Sequence, residues 1–179
     1  MLNDATRFEA FVREYQDMVF GTAVRLLGRD AEAEDVAQEV FMRAFERFRE
    51  VGASPTAAGW LKTVTTNLCL NHLSRYRARW QFFGEIEAVR PGVLEGRVGS
   101  VEHSGPMDLE RAERRDRLEL ALRRLPDHQR VPLVLFHFED MAYQAIADAL
   151  GVSLAKVKSD IHRGRETLKQ QLAILHGSR

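Results

Sequence analysis

Between positions 153 and 165 the chain carries Ser153, Lys156, Lys158, Ser159, His162, Arg163 and Arg165, a set of hydroxyls, cations and an imidazole at helical spacing. Side chains of these types can hold phosphates and read base edges in a major groove. A second group lies in WLKTVTTNLCLNHLSRYRARW, residues 60–80. Asn67, Asn71 and Arg75 recur every four residues there, so one helical face offers amides and a guanidinium. Lys62, Arg77 and Arg79 add charge, and Tyr76 and Trp80 are planar surfaces on which unstacked bases can rest. A third group is acidic. Asp35, Gln38, Glu39 and Met42 fall at three- and four-residue intervals, opposite Val36, Val40 and Phe41. Each group also has a plainer explanation: a charged helical hairpin, an arginine-rich helix end answering the helix dipole, or a solvated acidic face.

Bond-making chemistry finds no support. The six histidines are scattered, no acid and base recur as a pair, and no glycine-rich phosphate cradle follows a strand. No enzyme activity, metal or cofactor is expected, and His72 and His162 read as surface or groove-facing side chains. The single cysteine, Cys69, has no partner for an internal disulfide, which favours a reducing compartment. The first ten residues lack a signal-peptide pattern and no apolar run reaches membrane-spanning length, so a cytoplasmic protein without membrane insertion is expected.

The elements that must position these groups are all helical. Residues 142–169 form a helix-turn-helix: Ile146, Ala147 and Leu150 recur at helical spacing, Gly151 makes the turn, Ser153 can cap the next helix, and Val157 and Ile161 face inward. Upstream, residues 6–27 form one amphipathic helix or two. Asp30 can cap another, running to about Phe48, with Ala33, Val36, Ala37, Val40, Phe41, Ala44, Phe45 and Phe48 as its buried stripe. The short connection at Gly28 makes these two antiparallel. Gly52, Ser54 and Pro55 stop the chain before a third helix, about 57–79, with Leu61, Val64, Leu68 and Leu73 toward the core. Glycines and prolines then erase the apolar period from about 81 to 107. Helicity resumes with Leu118, Ala121, Leu122 and Leu125, and Asp127 can cap a further helix that Pro132 would disturb just past its first turn. The fold class is therefore all-α, two small helical domains, 1–82 and 109–179, joined by a flexible linker at 83–108. Of 179 residues 45% are hydrophobic and 29% charged, a globular composition. The net charge of zero conceals an acidic stretch at 30–39 and a basic one at 60–84.

With DVAQEVF, NLCLNHLSRYR and LPDHQRVPLVLFHFEDMAYQAIADALGVSLAKVKSDIHRGRETLK in that order, the chain resembles bacterial RNA polymerase sigma factors of the small extracytoplasmic-function group. The resemblance covers nearly the whole chain. It implies docking of Asp35, Gln38, Glu39 and Met42 on core RNA polymerase, with its beta-prime clamp helices and beta subunit as partners. It implies minus-10 recognition and melting by Lys62, Asn67, Asn71, Arg75, Tyr76, Arg77 and Arg79, and minus-35 recognition by Ser153, Lys156, Lys158, Ser159, His162, Arg163 and Arg165. An anti-sigma factor is a further implied partner of such proteins. The chain departs from the common pattern at Asn71, Ala145, Ala155, Lys156 and, above all, Asp160, where arginine is frequent. A carboxylate there would repel phosphate and could accept from a cytosine amino group. Two other readings share these residues: a free-standing helix-turn-helix regulator of duplex DNA, and a helical protein-interaction regulator without DNA binding.

Overall fold

A computed structural model describes residues 3–82 and 106–177, with side chains described for 3–74 and 107–177. Eight helices and no strand occur among the described residues. The chain divides into two compact units, 1–82 and 83–179. The expected linker lies outside the described residues except for 106–108, which open a helix.

In the first unit α1 (Asp4–Leu27), α2 (Asp30–Glu46) and α4 (Ala57–Phe82) pack mutually around one core, with the single turn α3 (Phe48–Val51) between the last two. The residues 6–27 are one helix rather than two. It ends at Gly28, whose left-handed φ of 73° lets its N–H reach the Val24 carbonyl at 2.8 Å. Only Gly28 and Arg29 separate it from α2. Phe8 at the start of α1 meets Phe45 and Phe48 at centroid distances of 5.0 and 5.2 Å, so the two helices run antiparallel, as their short connection requires.

Four expectations for this unit need correction. The N-cap of α2 is the extended Arg29, without a side-chain cap, and Asp30 is instead the first helical residue, where an acid suits the dipole. The helix stops at Glu46 rather than Phe48. Its buried stripe is Ala33, Val36, Val40 and Ala44, while Phe45 is 59% exposed because it sits one residue round from that stripe. In α4 Ala57, Leu61, Thr65, Cys69 and Leu73 form a buried four-residue row, with Thr66 buried beside it and Val64 and Leu68 only half-buried. Thr65 can sit there because its hydroxyl donates to the Leu61 carbonyl at 2.7 Å, leaving its methyl for the core.

In the second unit α5 (Pro106–Arg123), α6 (Asp127–His137) and α7 (Tyr143–Leu150) each pack on the long α8 (Leu154–Gly177). The core is Ala121, Leu122, Leu125, Val131, Leu133, Val134, Leu135, Ile146, Ala147, Val157 and Ile161. The N-cap of α6 is Pro126, not Asp127, and Pro132 is buried inside a helix that continues past it. The turn before α8 follows from local chemistry. Gly151 adopts φ 63°, a region in which an L side chain would be strained, and the Val152 N–H closes on the Ala147 carbonyl at 3.1 Å. Ser153 then accepts the Lys156 N–H at 3.1 Å, the cap expected of it.

Candidate nucleic-acid and docking surfaces

Asp35, Gln38 and Met42 stand exposed along α2, with Glu39 half-exposed beside them. Met42 is 61% exposed although it is apolar. Glu39 is engaged locally, accepting from Arg43 Nε at 2.9 Å. Sequence reasoning missed Phe45, which continues the strip one turn on and leans on Phe8. The result is a band with carboxylates and an amide at one end and a thioether and a ring at the other. That combination suits a protein partner better than a solvated face, which has no use for exposed Met and Phe together.

On α4, Asn67 and Asn71 are exposed four residues apart and Lys62 is half-buried. Arg75, Tyr76, Arg77 and Arg79 lie on the helical continuation to Phe82, outside the described side chains. His72 does not face a groove. Its Nε2 lies 3.3 Å from Glu32 Oε2, and Glu32 in turn accepts from Arg29 Nη1 at 3.1 Å. A polar chain therefore ties the amide-bearing helix to the start of the acidic one. A cleft of about 230 Å³ opens where the chain enters α4, lined by Arg47, Glu50, Val51, Ser54, Thr56, Ala57 and Trp60. A cationic arm beside a half-exposed indole is chemistry for a stacked planar group. No spacing rule could have found it, because its walls come from α3, the loop and α4.

On α8, Lys158, Ser159, His162 and Arg163 are exposed. Ser159, His162, Arg163 and Glu166 follow three- and four-residue steps and form one outward arc, of which Glu166 was not anticipated. Ser153 contributes its oxygen to the helix cap. Arg165 turns back onto the body of the unit: its guanidinium sits 5.6 Å over the Phe136 ring, itself stacked on Tyr143 at 4.6 Å, and its Nε donates to His137 Nε2 at 3.2 Å. Asp160 is the clear reversal. It does not look into a groove; its side chain is 8% exposed and accepts from Lys156 Nζ at 2.6 Å.

Partial desolvation, and then the Arg165 charge, hold His137 below its ordinary pKa near 6.5. The sign of the pH effect follows. As pH falls below about 6.5 the unfolded chain takes up this proton before the folded one, so the second unit loses stability through that window. The loss stops growing once folded His137 is protonated as well. His137→Gln, which can still accept from Arg165, is expected to shrink the fall in melting temperature of the second unit between neutral and mildly acidic buffer. An unaltered fall would remove His137 from the explanation.

Among the described residues no three or more His, Cys, Asp or Glu are grouped to hold a metal ion, and no helix is long and apolar enough to cross a membrane.

Comparison with known proteins gives these surfaces a setting. Residues 11–79 match the family model for sigma-70 region 2, and residues 115–168 match that for sigma-70 region 4. The chain is 30% identical to the RNA polymerase sigma-H factor of Pseudomonas aeruginosa over 94% of its own length and 88% of that protein. The chain belongs to the extracytoplasmic-function group of sigma-70 family RNA polymerase sigma factors. It is also 34% identical to the ECF RNA polymerase sigma factor SigE of Mycolicibacterium smegmatis over 93% of this chain, and it spans 62% of the length of that relative. A solved sigma factor, RpoE in complex with the anti-sigma factor NepR from Bartonella quintana, covers 96% of this chain and 98% of its own at 21% identity, with a TM-score of 0.47. Membership makes the protein an alternative sigma factor, a transcription initiation factor. The region 2 match falls within the first unit and the region 4 match within the second. Neither a free-standing duplex-binding regulator nor a purely protein-binding module accounts for the two regions together.

Proposed function

We propose that this sigma factor divides its work between its units: residues 1–82 join core RNA polymerase and open promoter DNA, and 109–179 anchor the complex upstream, with 83–108 connecting them. Asp35, Gln38, Glu39 and Met42 dock on the beta-prime clamp helices, with the beta subunit also in contact with the bound factor. Lys62, Asn67 and Asn71, continued by Arg75, Tyr76, Arg77 and Arg79, hold the non-template strand of the minus-10 element. Amides read base edges, cations neutralise phosphates and rings take up unstacked bases. Lys158, Ser159, His162 and Arg163 meet the minus-35 duplex. Lys156 and Arg165 are already engaged with Asp160 and with Phe136 and His137, so they are left out of that contact. Neither unit performs bond chemistry, which belongs to the polymerase. The factor works in the cytoplasm, and its two surfaces are what an anti-sigma factor would cover.

The observation that carries this reading is the arrangement of α2 and α4. Their inward rows share one core with α1, while their outward faces present a mixed apolar and acidic strip and a pair of spaced amides. Transcription from a randomised promoter library by core polymerase, with and without the full chain, tests it directly. New start sites sharing two sequence elements are expected when the chain is added. Identical start sites with and without it would overturn the assignment.

A further inference from the structure

Asp160 and Lys156 are one turn apart on the helix assigned above to duplex reading, and this inference rests on that assignment. The carboxylate is almost wholly buried, whereas the lysine side chain is half exposed and its ammonium lies 2.6 Å from Oδ2. An uncompensated carboxylate in that position would be costly, so the cation is held where it is. A cation bound this way presents a phosphate with a neutral pair rather than a net charge. Lys158 and Arg163 are the other outward cations of the first half of α8.

We propose that Asp160 is an affinity-setting positioning residue: it withdraws Lys156 from the DNA backbone, so that α8 makes one phosphate contact fewer than its cations would allow. Phosphate contacts strengthen binding to every sequence alike, whereas base contacts separate one sequence from another. Withdrawing a lysine therefore lowers binding to all DNA while leaving base reading to Ser159 and His162. For a factor delivered to promoters by a polymerase that has its own grip on DNA, a weaker general hold on the duplex keeps the sequence-dependent part of binding decisive.

The test uses the full chain assembled with core RNA polymerase, a duplex fragment that the wild-type complex selects from a randomised pool, and a shuffled fragment of the same composition. Affinity for both is measured across a salt series. Asp160→Asn is expected to steepen the dependence of log affinity on log salt by about 0.9, the increment for one added phosphate contact. It should tighten both fragments by the same factor and leave the selected sequence unchanged. The double variant Lys156→Gln with Asp160→Asn, which replaces the charged pair by a neutral one, is expected to return the slope to the wild-type value.

A double variant whose slope is shallower than wild type by about 0.9 would overturn the proposal, because Lys156 would then already be touching phosphate. An altered base preference in Asp160→Asn would overturn it differently, by making Asp160 a reader of sequence. Should Asp160→Asn fail to fold in thermal melts, the slope of the double variant decides alone. If the wild-type complex selects no fragment beyond those taken by core polymerase, the sigma reading falls and this inference with it. The slope outcomes leave that reading standing.

Discussion

Gln38→Ala combined with Met42→Ala is expected to weaken association of the chain with core RNA polymerase by about a hundredfold. Both side chains stand clear of the core, and Met42 is 61% exposed. Burying a methionine against a partner is worth about 1.5–3 kcal/mol, and an amide hydrogen bond adds about 1. A sum near 3 kcal/mol corresponds to roughly two decades in affinity. The same exposure makes the substitutions harmless to the fold, so the melting curve should stay within about 0.5 kcal/mol of wild type. Phe45→Ala is a less clean probe, because Phe45 also packs against Phe8 and its loss would loosen α1 from α2. Fluorescence anisotropy of labelled protein titrated with core polymerase measures the effect. Wild-type affinity in the double variant would mean that α2 docks on nothing through this strip.

What was legible from sequence, and what was not, follows a physical line. The α7, turn and α8 arrangement was readable because its signals are local: Gly151 supplies the left-handed backbone and Ser153 the cap, whatever lies around them. The stripe of α2 was readable at Ala33, Val36, Val40 and Ala44 for the same reason of period. Phe45 was misjudged because side-chain type says nothing about whether a neighbour exists to cover it. Thr65 was overlooked because a hydroxyl that bonds to its own helix can be buried without any distant partner. From sequence alone Asp160 reads as outward-facing, because it is an acid on a basic helix, yet its side chain is buried. Its position nonetheless gave a signal. Val157, Asp160, Ile161 and Gly164 follow the three- and four-residue steps of a buried stripe, and all four are buried. The period of that stripe, taken before the charge, places Asp160 inward.

The two surfaces of the first unit are supported in the same way. The acidic strip of α2 is backed by small residues, Ala33 and Ala44, that bring α2 close to its neighbours. The amides of α4 are carried by a helix whose core row includes Thr65 and Cys69, which are small enough for the same close approach. The contact of His72 with Glu32 then joins the two helices through a polar link at their margin.

Arg130→Ala is expected to cost the second unit about 3 kcal/mol, the largest single-residue effect on its stability proposed for this chain. The Arg130 side chain is 3% exposed, its Nη1 donates to the Leu125 carbonyl at 2.9 Å, and its Nη2 donates to Asp127. These partners lie at the corner between α5 and α6, where α5 has ended and Pro126 has no N–H to offer. The guanidinium therefore replaces backbone bonds that the corner itself cannot make. Truncation leaves a buried carbonyl without this donor, a carboxylate without its cation and a void in the packing, each costly by itself. Arg130→Lys keeps the charge but has no planar fork to serve both acceptors, so an intermediate loss of about 1–2 kcal/mol is expected. Both tryptophans, Trp60 and Trp80, belong to the first unit, so tryptophan fluorescence follows that unit alone while circular dichroism follows both. In urea, Arg130→Ala should move the dichroism transition to lower denaturant and leave the fluorescence transition in place. Transcription that depends on the upstream element should fall while binding to polymerase through α2 persists. If the dichroism midpoint does not move, the α5–α6 corner is held by something other than Arg130.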